Sequence, residues 1–159
     1  MSETGQLRIA VGCDLAGAEV KAAVVEELRA AGLRVLDHSP DPALDYPDVA
    51  EIVARAVAQG MVERGVLICG TGIGMSISAN KVVGVRAALC VDSYTARMSR
   101  EHNDANVLCL GGRTLDPERA REILVAWLQP DASNEERHVR RRDKVRSIEQ
   151  NGLREPSPA

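Results

Sequence analysis

The sequence predicts an α/β protein, with one parallel sheet of five strands and helices on both of its faces. Three observations predict it. Five short runs rich in Val, Ile, Leu and Ala recur at residues 7–11, 33–36, 65–68, 85–90 and 107–110. Segments of helical period separate them, and strands alternating with helices build right-handed βαβ units and a parallel sheet. Aromatics are nearly absent, with no Phe, one Trp and two Tyr, so the core has to be aliphatic.

Each element has its own reason. The first strand, residues 7–11, ends at Gly12. Residues 16–31 then place Val20, Val24, Val25 and Leu28 on one helical face, with Gly32 as the stop. A second strand, 33–36, gives way to a polar loop with two prolines, 37–45. Pro47 suits the first turn of a helix that runs to about residue 63, with Val49, Ile52, Val53, Ala56 and Val57 as its apolar face. The third strand, 65–68, enters a glycine turn and a short helix over 75–81. A fourth strand, 85–90, a helix over 93–101 and a fifth strand, 107–110, complete the sheet. Residues 117–128 form a helix carrying Ile123, Leu124 and Trp127, and a separate, highly charged helix spans about 133–150 after Pro130.

The 159 residues suit one domain, 1–150, with 151–159 expected as a disordered tail. A net charge of −3 gives no general attraction to nucleic acid or anionic membranes. The scarcity of aromatics also argues against stacking on single-stranded nucleic acid. No apolar run is long enough for a membrane span, and the first six residues are too short and polar for a signal peptide, so the chain reads as cytoplasmic. Cys13, Cys69, Cys90 and Cys109 all lie in or at the ends of apolar runs, without a CxxC, and read as reduced thiols.

In a parallel sheet, ligands bind outside the carboxyl ends of the strands. Those ends carry Asp14, Cys69, Asp92 and the turn Gly111-Gly112-Arg113. The densest signal is Cys69-Gly70-Thr71-Gly72-Ile73-Gly74. Its glycines allow close approach of the backbone to a ligand, and its amides can form an anion nest where a thiolate is favoured. The spacing is GxGxG, so it is not a dinucleotide fingerprint. No GK[ST] follows, so it is not a Walker loop. Met75 stands where a cysteine phosphatase needs arginine. A buried strand-end thiol beside a tight turn stays open as the plain alternative.

Other residues also carry two readings. His102 is either a catalytic group or a surface cap at a helix C-terminus. Asp14 is an N-cap, a ligand, or both. Arg113 is a plausible anion clamp. In Arg137-His138-Val139-Arg140-Arg141-Arg142, Arg137 and Arg141 share a face with His138, either as a solvated basic surface or as a grip on one phosphate.

Taken together, seven ordered motifs resemble one family. They are Gly12-Cys13-Asp14-x-Ala16-Gly17, Asp45-Tyr46-Pro47, the 69–74 turn, Ala79-Asn80-Lys81, Arg100-Glu101-His102-Asn103, Gly112-Arg113 and Arg137-His138-x-x-Arg141. Over about residues 7–148 the chain is similar to the type B ribose-5-phosphate isomerases, in the wider family that includes galactose-6-phosphate isomerase subunits. The resemblance implies a three-layer Rossmann-like fold with an extra C-terminal helix. It also implies a homodimer, possibly a tetramer, with sites completed by both subunits and no metal or cofactor. The partner is a small phosphosugar, and the reaction interconverts ribose 5-phosphate and ribulose 5-phosphate through a cis-enediolate.

The roles it implies are specific. Cys69 is the base, assisted by Thr71, and the amides of Gly70, Gly72 and Gly74 stabilise the enediolate oxygen. His102 with Asp14 opens the furanose ring. Asn103 holds sugar hydroxyls, Tyr46 lines the pocket, and Arg113, Arg137, His138 and Arg141 bind phosphate. Some relatives carry a glutamate base at the place of Met75, so the cysteine branch applies here. One departure stands out: Leu15 replaces the histidine usual after the first strand's aspartate. That keeps open the same isomerisation on allose 6-phosphate, galactose 6-phosphate or a tetrulose phosphate. A non-catalytic phosphosugar-binding protein is the remaining alternative.

Overall fold

The five apolar runs form one parallel sheet in the order β2-β1-β3-β5-β4. The computed structural model describes residues 6–38 and 41–152; Pro40 in the predicted loop and most of the predicted tail lie outside them. The strands are β1 Arg8–Cys13, β2 Arg34–His38, β3 Arg64–Cys69, β4 Ala87–Leu89 and β5 Val107–Gly111. The helices are α1 Ala18–Ala30, α2 Tyr46–Ala58, α3 Ile73–Ala79, α4 Ser93–Glu101, α5 Pro117–Leu128 and α6 Glu136–Asn151.

Side chains alternate across the sheet and feed two aliphatic cores. Ile9, Val11, Val66, Ile68, Leu108 and Leu110 pack under α1, α4 and α5, against Val24, Leu28, Ala96, Leu124 and Trp127. Ala10, Leu67, Val107 and Cys109 pack under α2 and α3, against Val49, Val53, Val57 and Met75. Each fully buried Val, Leu or Ile contributes about 1.5–3 kcal/mol, so the core holds without phenylalanine. The result is the three-layer Rossmann-like arrangement expected.

The boundaries depart from expectation where hydrogen bonds outside the local pattern decide them. β2 runs on to His38 because it pairs residue for residue with β1, from Arg8 with Arg34 to Gly12 with His38. α2 stops at Ala58, five residues early, at a turn through Gly60 with φ +71°. A 3₁₀ turn, Leu15–Gly17, precedes α1. α3 begins at Ile73, two residues earlier than expected. β4 keeps only three residues, since the Arg86 N–H is taken by Asn106 Oδ1 at 2.8 Å. α6 starts at Glu136 rather than 133: its N-cap Glu135 is still outside the helical region at φ −59° and ψ 132°, while the Ser133 N–H donates to the Glu101 carbonyl at 2.8 Å.

Candidate active site

The chain leaves β1 for one side of the sheet and β3 for the other, so their carboxyl ends flank a switch point. Backbone contacts join three loops there. The Asp14 N–H donates to the Ile68 carbonyl at 3.2 Å, the Gly112 N–H to Cys69 at 2.7 Å and the Arg113 N–H to Gly70 at 2.9 Å. The fit is close: a Cβ on Gly112 would lie 2.5 Å from the Ala16 carbonyl oxygen. Asp14, Cys69 and Arg113 are therefore fixed beside one another by main chain. Asp14 also caps the 3₁₀ turn, its Oδ1 accepting from the Gly17 N–H at 3.2 Å.

Cys69 ends β3, and its Sγ accepts a hydrogen bond from the Gly72 N–H at 3.2 Å. That bend needs Gly72, which sits at φ +77° and would press a Cβ within 2.6 Å of Leu89. Thr71 is exposed at the tip, its Oγ1 accepting from the Ile73 N–H at 3.3 Å. Tyr46, at the start of α2, lays its ring against Gly74, where a Cβ would come 2.5 Å from Cε2. The Arg113 guanidinium lies over Gly70. Leu15, beside Asp14, is 66% exposed. Burial raises the other three thiols: Cys13 to about 11, and Cys90 and Cys109 also upward. Those three are packing groups.

The remaining predicted residues gather elsewhere. His102 caps the C-terminus of α4, and its ring stacks on His138 of α6 at 4.1 Å with an interplanar angle of 12°. His138 is almost fully buried, and burial, then His102 and Arg137, hold its imidazole below the ordinary histidine value. Asn103, Arg137 and Arg141 are exposed around this pair, with Arg137 Nε bonded to Glu135 at 2.8 Å.

The two groups occupy opposite ends of the sheet. Cys69 pairs with Gly111 at the carboxyl end of β5, while residues 102–106 lead into Val107 at its amino end. Four strand steps of about 3.3 Å put roughly 13 Å of sheet between those levels. Within one chain, then, Asp14, Tyr46, the 69–74 turn and Arg113 come together. His102, Asn103, Arg137, His138 and Arg141 form a second cluster.

Sequence reasoning missed what holds the second cluster. Arg142 donates to the His102 carbonyl at 3.3 Å and to Ser133 at 2.8 Å, tying α6 to the end of α4. Asp104 bridges Arg86 at 3.0 Å and Arg100 at 2.8 Å. An aspartate directly after His102-Asn103 was the available signal, since Asp tolerates turn conformations. Among the described residues no group of three or more His, Cys, Asp or Glu gathers as a metal site. Nor is any described helix long and apolar enough to cross a membrane.

Comparison with known proteins adds a further finding. The family model described as ribose/galactose isomerase matches residues 9–145. The chain is similar to D-erythrulose-4-phosphate isomerase of Pectobacterium atrosepticum, 48% identical over 79% of this chain and 84% of the relative. It is similar to ribose-5-phosphate isomerase B of Escherichia coli, 44% identical over 90% and 97% of the two chains. Among solved structures, the type B ribose 5-phosphate isomerase of Trypanosoma cruzi superposes with a TM-score of 0.88. It is 48% identical, covering 93% of this chain and 99% of the other.

Proposed function

The chain belongs to the ribose/galactose isomerase family, and from that premise we propose that it interconverts ribose 5-phosphate and ribulose 5-phosphate with Cys69 as the base. The observation that carries this reading is the Cys69 thiol at the carboxyl end of β3, bonded to Gly72 and facing a turn of backbone amides. Enolisation needs a base beside the carbon acid and donors aimed at a developing oxyanion, and this turn offers both.

In the proposed sequence, His102 with Asp14 opens the furanose ring. Cys69 as thiolate takes the C2 proton of the open-chain aldose, and the electron pair passes through C2–C1 to O1. The resulting cis-enediolate is stabilised by Thr71 and the remaining amides of Gly70 to Gly74. The thiol returns its proton to C1 as the O2 hydroxyl proton passes to O1. Tyr46 walls the pocket and Asn103 holds hydroxyls, while Arg113, Arg137, His138 and Arg141 grip the phosphate.

Since Cys69 and His102 lie at opposite ends of one sheet, this sequence requires two copies of the chain, each lending its His102 end to the other's Cys69 end. Two features support a homodimer. α6 buries only His138 on its own chain, and Ile73, Ile77, Val83, Val91 and Tyr94 are exposed around the β4 edge.

A second reading, the same chemistry on a tetrulose 4-phosphate, is favoured by Leu15. A 66% exposed leucine beside Asp14 gives the sugar and phosphate no hydrogen bond. A 4-phosphate also blocks the oxygen that would close a furanose, so such a substrate needs no ring opening. Turnover of a phosphosugar panel in D₂O separates the readings. Deuterium should enter C1 of ribulose 5-phosphate, and Cys69→Ala should abolish that while retaining phosphosugar binding. Undiminished exchange in Cys69→Ala would overturn the cysteine base. Good turnover of erythrulose 4-phosphate beside negligible turnover of ribose 5-phosphate would select the second reading.

A further inference from the structure

The α4–β5 turn carries His102 and Asn103 on consecutive residues, and the next residue is in an unusual state. Asp104 has φ +51°, the one non-glycine residue at positive φ among those described. Aspartate tolerates that region better than most residues, but it stays there only when its surroundings hold it.

Those surroundings are two arginines. Asp104 Oδ1 accepts from Arg100 Nη1 at 2.8 Å, and Oδ2 from Arg86 Nη2 at 3.0 Å. Its carbonyl accepts from Arg86 Nε at 2.9 Å, and Arg100 Nη1 also donates to the Ala105 carbonyl at 2.8 Å. Arg86 stands just before β4 and Arg100 in the last turn of α4, so one carboxylate locks the turn to both. Arg100 is 5% exposed, and its guanidinium lies over Trp127, with Arg64 also over that ring. A buried arginine requires a counterion, and Asp104 supplies it.

We infer that Asp104 is a positioning residue: its double-arginine clamp sets the turn that holds His102 stacked on His138 and presents His102 and Asn103 together. The clamp's hydrogen bonds join Arg86, Arg100, Asp104 and Ala105 and do not pass through the side chain of His102 or Asn103. Their placement comes from the backbone on either side, fixed at residue 104 by the clamp and at residue 102 by Arg142. For the reaction, the inference rests on His102 as the ring-opening group.

The test uses Asp104→Asn, which keeps a residue tolerant of positive φ, and Arg86→Met, which opens one arm while leaving Arg100 paired. His102→Ala is the reference. The protein has three histidines, so the imidazole resonances of His102 can be followed directly by NMR in each full-length variant. Both clamp variants should move and broaden the His102 signals as the stack loosens. At saturating substrate, kcat for ribose 5-phosphate, which is ring-closed, should fall about 10- to 100-fold. The kcat for ribulose 5-phosphate, which cannot close a furanose, should be little changed, with the KM for ribose 5-phosphate falling in step because the overall equilibrium is fixed. Unmoved His102 signals in both variants would overturn the clamp, and so would equal losses on the two substrates beside a selective loss in His102→Ala. If His102→Ala itself treats the two substrates alike, ring opening by His102 is wrong, and the NMR result alone decides the clamp.

Discussion

Gly74 and Tyr46 show how little space the site allows at the scale of one residue. The tyrosine lies on a glycine face, so the start of α2 and the amide turn meet in close contact there. A Cβ at 2.5 Å from Cε2 cannot be accommodated without moving the ring. Gly74→Ala should therefore swing Tyr46 out and lower kcat/KM on the preferred phosphosugar by about ten-fold or more. The fold should survive, since Tyr46 is 42% exposed and has room to move outward. Added to Tyr46→Ala, the same change should cost little more, because residues in contact are non-additive. A double-mutant cycle in steady-state kinetics checks this, and full additivity would contradict the contact. Leu15 has the opposite character, since it is exposed and offers nothing polar, and under the proposed function it would bear on substrate choice rather than on proton transfer.

At the scale of elements, the amino ends of β1 and β3 are joined by one carboxylate. Glu63 accepts from the Arg8 N–H at 2.7 Å and from Arg8 Nη2 at 2.7 Å, just before β3 begins. The Arg8 side-chain hydrogen bond pulls the Glu63 carboxyl down to about 2, from 4.5. A depressed carboxylate contributes stability that is complete above its unfolded value and lost as pH falls through the folded one. For a pair this exposed the contribution is about 0.5–1 kcal/mol. Glu63→Gln should then lower Tm by about 1–4 °C at pH 7, and the difference should close between pH 4.5 and 2. Calorimetry at both ends of that window checks it, and a constant difference would show that the charge is not its source.

The elements themselves were largely legible because burial on both faces leaves periodic apolar runs, as in β3 and β5. What sequence does not carry is long-range pairing. The extension of β2 depends on β1, the shortening of β4 on Asn106, and the strand order on loop crossings that leave no periodic mark. The site was legible in the same uneven way. The 69–74 turn is local and reads from its glycines, whereas the Arg86–Asp104–Arg100 clamp joins residues 18 apart.

At the scale of the whole molecule, a βαβ fold returns every helix to the amino edge of the sheet, and His102 ends one such helix. Cys69 sits at the other edge, so no rotamer brings the two to one substrate within a chain. In the proposed homodimer, two-fold pairing that sets one Cys69 end against the partner's His102 end would set the other pair together as well, giving two equivalent sites. This geometry predicts complementation between inactive variants. Cys69→Ala and His102→Ala homodimers should each be inactive or severely impaired on ribose 5-phosphate. Mixed one to one and allowed to exchange subunits, about half of the dimers would be hybrids, each with one intact site and one doubly damaged site. Activity should recover to about one quarter of the unmodified protein's. Assay before and after exchange by mild denaturation and refolding checks it. No recovery, with hybrids confirmed by native mass spectrometry, would mean that Cys69 and His102 of different subunits do not share a substrate.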